Sequence, residues 1–353
     1  MSVYLNGSSY LQREPSVANV SQKRTAYQLG QRVELPYFNL FEQPLLSLSE
    51  LYCLMDTQIE QTLTQAGWTK SELSQTPIFL GSTGYVIADC EYRLQHNQPL
   101  PNEYSLAVIG DYFRQRYQTE VYSLATSCTS SAQGIHYAVQ MITQGECEKA
   151  LIIGFESFNR LTFEHFHSMH LLAEHLPYLP LNDAKGIVLG EGLGCVALSN
   201  QPNPAFRAEL LGTHSLTDNQ NLTSTDERLF RQLIEQVLAK SHLHATQIAG
   251  VKVHSVGGQT DEMERQVLQD YFPHCDWIIP KTYLGHTLGA TGAVETAFLQ
   301  NCLLKGEMPR LQQNPSNLPL VLQSKLKNGY YLNYFLGFGG SNVGWVLHWE
   351  KNK

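Results

Sequence analysis

Apolar positions along the chain follow two different periods, and their order predicts an alternation of helices and buried strands. Residues 49–65 carry apolar side chains at helical spacing, whereas 77–81 is a short continuous apolar run typical of a buried strand. Over the first 200 residues the pattern predicts a helix, two strands, a helix ending at Gly145 and two further strands, at 49–65, 77–81, 121–125, 132–142, 149–154 and 195–198.

The same order returns after the polar, proline-containing stretch 199–204. The second half is predicted to contain a strand, a helix, a strand, a helix and a closing pair of strands, at 208–212, 229–238, 250–254, 261–271, 330–338 and 343–349. We therefore predict two similar halves, 1–200 and 201–353. Alternation of this kind predicts α/β layers in which parallel strands are covered on both faces.

Composition excludes several classes of protein. The 353 residues are 42% hydrophobic, and the net charge of −8 comes without any run of lysine and arginine, which argues against a nucleic acid partner. No stretch approaches the ~20 apolar residues that a membrane helix needs, and residues 1–7 lack the features of a secretory signal. Seven cysteines without a CxxC pair argue against a disulfide framework and predict a reduced, cytoplasmic location.

Cys128 is the first candidate nucleophile, because it lies where the predicted strand 121–125 ends and the next helix begins. The unpaired N–H groups and positive dipole end of a helix stabilise a thiolate, so this position predicts a lowered thiol pKa. The same N–H groups can stabilise an oxyanion on a thioester carbon that the sulfur attacks. The alternative is a small buried hydrophobic residue, which is a common role of free cysteine.

Two histidines of the second half, His254 and His286, are candidate hydrogen-bond donors to a substrate. Both lie at strand ends or loops, where side chains face the crevice of an open α/β sheet. Two neutral imidazoles can each donate an N–H to a carbonyl oxygen and stabilise an enolate, with Lys281 and Glu295 setting their charge and orientation. For either histidine alone, a hydrogen-bonded core position is the alternative.

Glycine-rich segments and a histidine cluster complete the candidates. The glycines of 337–342 allow backbone N–H groups to approach a substrate as oxyanion donors, although a plain hairpin turn explains them as well. The segment 190–194 leads into a strand and not a helix, which excludes a dinucleotide-binding loop. A zinc site is not predicted for the neighbouring histidines, because their spacing separates them on a helix and no carboxylate motif accompanies them: His165, His167, His170 and His175.

Five ordered blocks across about two thirds of the chain resemble the β-ketoacyl-[acyl-carrier-protein] synthase family, the decarboxylating condensing enzymes of fatty acid and type II polyketide assembly. The blocks are 126–131 around Cys128, 180–194, His254, 281–295 with Lys281, His286 and Glu295, and the terminal 337–342. The resemblance implies a thiolase-like fold, which is a duplicated five-layer α/β/α/β/α sandwich, and a dimer.

Site roles follow from the same resemblance. Cys128 would accept the acyl chain from the phosphopantetheine of an acyl carrier protein, and His254 and His286 would hold the malonyl thioester during decarboxylation. Lys281, with Glu295 beside it, would support the second histidine. Phe338 would control entry of the malonyl extender unit. The backbone N–H groups of Cys128 and Phe338, with Gly339 beside them, would form the oxyanion hole. No bound cofactor and no metal are implied.

Three departures distinguish this chain from the family pattern. The segment after His254 reads Ser255-Val256-Gly257-Gly258-Gln259-Thr260 in place of Gly-Thr-Gly-Thr, and it is one residue shorter, which predicts a displaced His254. The central signature is contracted at 181–186 and lacks its arginine. The opening strand and the region before Gly81 are also abbreviated, which predicts a trimmed cap over the acyl tunnel.

Such trimming is most similar to the smaller, chain-length-factor-like ketosynthase subunit of bacterial aryl polyene pathways. This resemblance implies a heterodimer with a longer ketosynthase subunit, although Cys128, which many chain length factors lack, is retained. A self-sufficient homodimeric synthase is the alternative. A thiolase using coenzyme A is less favoured, because such enzymes carry a late cysteine near the glycine-rich turn and Cys302 lies too far upstream.

Overall fold

Each half of the chain builds a five-stranded sheet with the same strand order. The computed structural model describes residues 1–12, 22–28, 31–182, 185–220, 225–308 and 325–351. In the N-terminal half the strands are β1 (Val3–Tyr10), β2 (Gln22–Gln28), β3 (Gln31–Tyr37), β4 (Ile78–Gly81), β5 (Val121–Leu124), β6 (Lys149–Glu156) and β7 (Gly192–Ser199). The helices of this half are α1 (Leu48–Ala66), α2 (Ile87–Gln95), α3 (Ala107–Tyr117), α4 (Ser130–Gln144) and α5 (Arg160–Ser168).

The C-terminal half contains β8 (Phe206–Thr217), β9 (Ile248–Lys252), β10 (Asp276–Ile278), β11 (Gly329–Leu336) and β12 (Ser341–Lys351). Its helices are α6 (Glu227–Ser241), α7 (Asp261–Tyr271), α8 (Lys281–Leu284) and α9 (Thr291–Lys305). The predicted boundary at residue 200 falls in the connection between β7 and β8.

Strand pairing is the same in the two halves. The first sheet has the order β5-β4-β6-β7-β1 and the second has β10-β9-β11-β12-β8, and a short antiparallel pairing of β1 with β8 joins them. In each sheet the first two pairings are parallel and the last two are antiparallel. The prediction of parallel strands is therefore wrong for β7 and β8, which pair antiparallel on both sides, because apolar runs that indicate burial on two faces do not report strand direction.

Helices cover both sheets and fill the space between them. The helices α1 and α3 pack on the outer face of the first sheet, and α6 and α7 pack on the outer face of the second. The helices α4 and α9 lie between the sheets, in a core to which β6, β7, β8, β11 and β12 contribute. This is the predicted duplicated five-layer α/β/α/β/α sandwich.

Local sequence signals explain where the predicted helices begin and end. Ser47 and Glu50 form a capping box at the start of α1, and Gly145 ends α4 with a φ of 79°, which favours glycine. The helix α9 was not predicted, because it is buried on nearly all sides and therefore carries no amphipathic stripe. The antiparallel pair β2–β3 was also not predicted, since its sequence is largely polar.

Candidate active site

The Cys128 thiol lies in a tight turn between β5 and α4. Residues Ser127–Thr129 form a 3₁₀ turn, and Ser127 adopts a φ of 53°, which is unusual for a residue with a side chain. The helix α4 begins at Ser130, two residues after Cys128. The cysteine therefore precedes the helix, whereas the sequence predicts a helix that begins at Cys128. The turn presents Cys128 to the space between the two halves, and its side chain is buried.

Both predicted histidines lie at this thiol. The Nε2 atom of His286 is 3.1 Å from the Sγ atom of Cys128, and the rings of His254 and His286 are perpendicular, with centroids 5.8 Å apart. His286 is fixed by its backbone, because its N–H donates to the carbonyl of Val188 and its carbonyl accepts from the N–H of Gly190. The structure thus joins one group from the N-terminal half to two from the C-terminal half.

The protonation states differ from the sequence prediction at Cys128. Burial raises the pKa of the Cys128 thiol to about 12, even though the charge of Lys281 and the backbone N–H of Phe338 act in the opposite direction. The expected lowering of this pKa is therefore wrong: desolvation outweighs the helix end, because the thiolate is removed from water. Burial, and then the charge of Lys281, hold the pKa of His254 and of His286 well below the usual value.

Backbone N–H groups face the sulfur from two directions. The N–H of Phe338 and the N–H of Cys128 itself both interact with the thiol. The turn after β11 brings Phe338 to this point with the help of Gly339 and Gly340, which have φ values of 83° and 78°. Two N–H donors at the same sulfur favour its charged form, although burial outweighs them here.

The cavity beside the sulfur is small and mostly apolar. Its volume is about 30 Å³, and it is lined by Cys128, Phe166, Ile187, Thr225, His254, Val256, Thr260, His286, Leu336, Gly337 and Phe338. The rings of Phe166 and Phe338 are nearly parallel, with centroids 6.1 Å apart. A volume of this size holds about one or two water molecules, whereas pockets for larger ligands measure roughly 300–1,000 Å³.

Lys281 is held by a carboxylate shared between two lysines. Its Nζ atom is 2.6 Å from Oε1 of Glu295, while Oε2 of the same carboxylate is 2.8 Å from Nζ of Lys252. Both lysine side chains have an exposure of 0%. Lys281 and Glu295 therefore lie together, as their block of sequence predicts. Lys252 is a third member of this charged cluster and was not predicted.

The loop that carries His254 is fixed by two carboxylates of the first turn of α7. Glu264 accepts hydrogen bonds from the N–H groups of His254 and Ser255, and from the hydroxyl of Tyr334. Asp261 accepts from the N–H groups of Val256 and Gly257. Although the loop is one residue shorter than the family pattern, this anchoring brings the His254 ring to the cavity and not away from it.

The remaining candidates lie elsewhere. His165, His170 and His175 are exposed and His167 is half-buried, and within the described part of the chain no group of three or more His, Cys, Asp or Glu side chains could hold a metal ion. Asp183 and Ala184 of the contracted signature lie outside the described residues. No helix among the described residues is long and apolar enough to cross a membrane; the predicted cytoplasmic location stays a prediction.

Comparison with known proteins assigns the family. Residues 9–203 match the N-terminal domain of β-ketoacyl synthases, and residues 207–313 match the C-terminal domain. The chain belongs to the β-ketoacyl synthase family. The two matches meet between β7 and β8, and together they cover most of this synthase-family chain.

Relatives agree with the assignment. The synthase-family chain is 24% identical over 329 residues to 3-oxoacyl-[acyl-carrier-protein] synthase 2 of Rhizobium meliloti, covering 82% of this chain and 78% of that protein. It is 26% identical over 200 residues, 52% of its length, to a non-reducing polyketide synthase of Emericella nidulans, of which it spans 8%.

Among solved structures, a ketosynthase in complex with its chain length factor from Xenorhabdus doucetiae has the same fold. The TM-score is 0.79 at 18% identity, and the alignment covers 98% of both chains. The thiolase-like ketosynthase fold is thereby confirmed.

Three residues of the synthase site were missed. Lys252 is a charged residue inside the apolar strand Val251-Lys252-Val253, and this is a signal that could have found it. Glu264 was not among the predicted site residues. Phe166 had no local signal, because its contact with Phe338 joins residues that are far apart in sequence.

Proposed function

We propose that this chain is one subunit of a two-subunit β-ketoacyl synthase that extends acyl chains by decarboxylative Claisen condensation, and that a longer ketosynthase subunit provides the acyl chamber. The proposal rests on one observation: Cys128 Sγ lies 3.1 Å from Nε2 of His286, but the cavity beside them measures only about 30 Å³. Among the described residues, the groups for the chemistry lie together, whereas the cavity that they line has room for about one or two water molecules and not for a growing acyl chain.

The chemistry uses thioesters carried on the phosphopantetheine of an acyl carrier protein. A cysteine thiol attacks the acyl thioester, its proton passes through a neutral imidazole to the leaving phosphopantetheine thiol, and a new acyl thioester forms on the cysteine. Loss of CO₂ from the malonyl thioester leaves the electron pair of the broken C–C bond as an enolate, which two imidazole N–H groups stabilise. The enolate carbon then attacks the acyl-cysteine carbonyl and releases the cysteine.

The low pKa values of both histidines support this chemistry. Because burial and Lys281 keep the imidazoles neutral, each ring has an N–H to donate to the enolate oxygen and a free nitrogen to accept a proton. Oxyanion stabilisation is proposed for the N–H groups of Cys128 and Phe338, with Gly339 providing the turn. Phe338, stacked on Phe166, is proposed to control access of the extender.

A subunit role is supported by what surrounds the cavity. Phe166 and Ile187 form part of its wall, and the aromatic rings of Tyr37, Phe158 and Phe163 pack beside one another in the same apolar cluster. An acyl chain on Cys128 would have to displace these packed side chains. In a chain-length-factor-type heterodimer, of the kind used in aryl polyene and other type II polyketide assembly, the acyl chain instead grows on the cysteine of the partner subunit.

A self-sufficient homodimeric synthase is the second candidate. It is favoured by the joint placement of Cys128, His254 and His286 at one cavity, since an inactive subunit has no need for a complete set. This candidate requires Phe166 and Phe338 to move apart before acylation.

Acylation of the purified chain separates the two candidates. We would incubate the chain alone, and the chain co-expressed with a longer ketosynthase, with acyl and malonyl acyl carrier protein, and measure acylation of Cys128 and the β-ketoacyl product by mass spectrometry. The subunit proposal expects no condensation by the chain alone, and at most about a threefold loss of product when Cys128→Ala is placed in the heterodimer.

The opposite outcome is equally clear. Condensation by the chain alone, reduced at least about 10³-fold by Cys128→Ala, would establish the homodimeric synthase and reject the subunit role. Cys53→Ala is the matched control, because Cys53 is an exposed free cysteine on α1, away from the cavity lining.

A further inference from the structure

A lysine without a role in the proposed chemistry lies inside the C-terminal sheet. Lys252 is the last residue of β9, and its side chain has an exposure of 0%. Its Nζ atom donates to Oε2 of Glu295 and to the carbonyl of Tyr334, both at 2.8 Å, and it lies over the ring of Phe335. A fully buried ammonium is costly, so its retention here calls for a physical explanation.

The explanation begins with the charge of the cluster. Glu295 is the carboxylate that contacts both Lys252 and Lys281, one through each oxygen. When all three groups are charged, two positive charges face one negative charge, and one unit of positive charge remains in the cluster. A carboxylate shared in this way cannot neutralise either lysine fully.

Lys281 passes this charge to the reacting groups. Its positive charge lowers the pKa of Cys128, His254 and His286, whereas Lys252 is among the main charges that act on His254 but not among those that act on Cys128 or His286. The influence of Lys252 on the thiol therefore runs through the carboxylate that it withdraws from Lys281.

We propose that Lys252 is a positioning residue that holds one oxygen of Glu295, so that the Lys281 ammonium, whose charge acts on the Cys128–His286 pair, stays incompletely neutralised. This residual charge stabilises the thiolate that forms when Cys128 reacts. The role rests on the proposed function only where Cys128 is the nucleophile, as in the homodimeric candidate, whereas the reactivity of the Cys128 thiol can be measured in either arrangement.

The effect depends on pH in a direction that the surroundings define. Lys252 is faced by Glu295 from α9, Lys281 from α8, Glu264 from α7 and Tyr334 from β11. Burial, opposed by Glu295, lowers the pKa of Lys252 to about 7. Below pH 7 the charged Lys252 shares Glu295, while above pH 7 the neutral amine leaves the full carboxylate charge to Lys281.

The test is the rate at which iodoacetamide alkylates Cys128 in the purified full chain between pH 6 and pH 9. Peptide mass spectrometry follows the Cys128 peptide separately from the other cysteines. Alkylation measures the thiol itself, so the result does not depend on whether the chain condenses thioesters. Wild type is compared with Lys252→Met and Glu295→Gln, with Lys149→Met as the control, because Lys149 pairs with Glu72 near the surface.

The effect of Lys252→Met is expected to depend on pH and on Glu295. Lys252→Met slows alkylation about fivefold at pH 6 and matches wild type within about twofold at pH 9, where Lys252 of the wild type is itself neutral. In the Glu295→Gln background, adding Lys252→Met changes the rate by no more than about twofold, because the carboxylate through which Lys252 acts is gone. Lys149→Met follows the wild type throughout.

Two results would overturn the role of Lys252. One is a Lys252→Met rate that equals the wild-type rate at pH 6, or that differs from it by the same factor at every pH, as a purely structural defect would give. The other is an effect of Lys252→Met that is as large in the Glu295→Gln background as in the wild type. If Lys252→Met does not fold, as judged by circular dichroism, Lys252→Leu is measured in its place and judged by the same two results.

Discussion

The two halves of the molecule use equivalent loops for different purposes. In each sheet the second strand, β4 or β9, has parallel neighbours on both sides, and the loop that follows it reaches the same end of the fold. After β9 this loop carries His254 to the cavity. After β4 it carries Ser82, Thr83 and Gly84, which contribute no residue to the cavity lining.

A buried carboxylate anchors each of these loops. Glu156 at the end of β6 accepts hydrogen bonds from the N–H groups of Thr83 and Gly84, and also from the N–H of Gly289 in the other half. Glu264 accepts from the loop of His254. The same device therefore joins the halves in one case and orients an imidazole in the other.

The two helices between the sheets, α4 and α9, also follow different parts of the site. The helix α4 follows the turn of Cys128, and α9 follows His286 and the turn Leu288–Ala290. Their first turns meet closely, because a Cβ atom on Gly292 would lie 2.1 Å from the backbone nitrogen of Ala132. This contact holds the helix that follows Cys128 against the helix that follows His286.

Breaking that contact is expected to have the largest effect. Gly292→Ala places a methyl group against backbone atoms of Ala132 and Ser131, which cannot move as a side chain can. We expect a loss of at least about 3 kcal/mol in the free energy of unfolding, measured by urea denaturation. Gly258→Ala is the control, because its Cβ would meet only Val256 Cγ2 at 3.5 Å. Equal stability of the two variants would contradict the close helix contact.

The second prediction compares the two anchors by the same substitution. In Glu156 both carboxylate oxygens accept from backbone N–H groups, so an amide in Glu156→Gln must turn its NH₂ toward a donor. We expect a loss of about 2–3 kcal/mol at pH 8 in urea denaturation. In Glu264, Oε1 accepts from His254, Ser255 and Tyr334, whereas Oε2 accepts only a second, longer contact of 3.1 Å from the same Ser255 N–H, so the NH₂ of Glu264→Gln costs less at that position.

The sign of the Glu264 effect depends on pH. Burial raises the pKa of Glu264 to about 7 from the usual 4.5, so the folded state holds a proton that the unfolded state has released, and wild-type stability falls as pH rises through this window. Glu264→Gln removes this loss. We expect a free energy of unfolding close to wild type at pH 5 and higher than wild type by about 1 kcal/mol at pH 8. Destabilisation at pH 8 equal to that of Glu156→Gln would show that the two anchors do not differ.

The smallest effect on the free energy of unfolding is expected at Phe166, where the two halves face each other across the cavity. Phe166→Leu shortens the side chain that stacks on Phe338 and is expected to cost about 1 kcal/mol. With the cavity widened, alkylation of Cys128 by iodoacetamide should speed about threefold at pH 8. Leu161→Ala, on an exposed position of the same helix, is the control. An unchanged rate would mean that the stacked rings do not restrict access to the sulfur.

Much of the scaffold could be predicted from the sequence. The bounds of α1, α4, α6 and α7, and of most sheet strands, follow from apolar periods of 3.6 or from short apolar runs, which are local properties. Helix α9 and the antiparallel pair β2–β3 could not, because one is buried on nearly all sides and the other is largely polar. Strand direction within each sheet was also beyond the pattern.

The residues of the site divide in the same way, into those with a local sequence signal and those without one. Cys128, His254 and His286 could be singled out from motifs, and their expected partners Lys281 and Glu295 from one block of sequence. The position of Phe166 against Phe338, and the sharing of Glu295 with Lys252, depend on contacts between segments far apart along the chain.

The sequence by itself determined the family, the repeated order of elements and the identity of the candidate reacting groups, since these depend on residue types and short spacings. The tertiary structure decided the electrostatics and the size of the site. Burial raised the thiol pKa to about 12, where the helix end alone had predicted a lower one, and the packed rings left about 30 Å³ beside the sulfur. Desolvation and packing are set by everything that surrounds a group, and residue spacing does not contain that information.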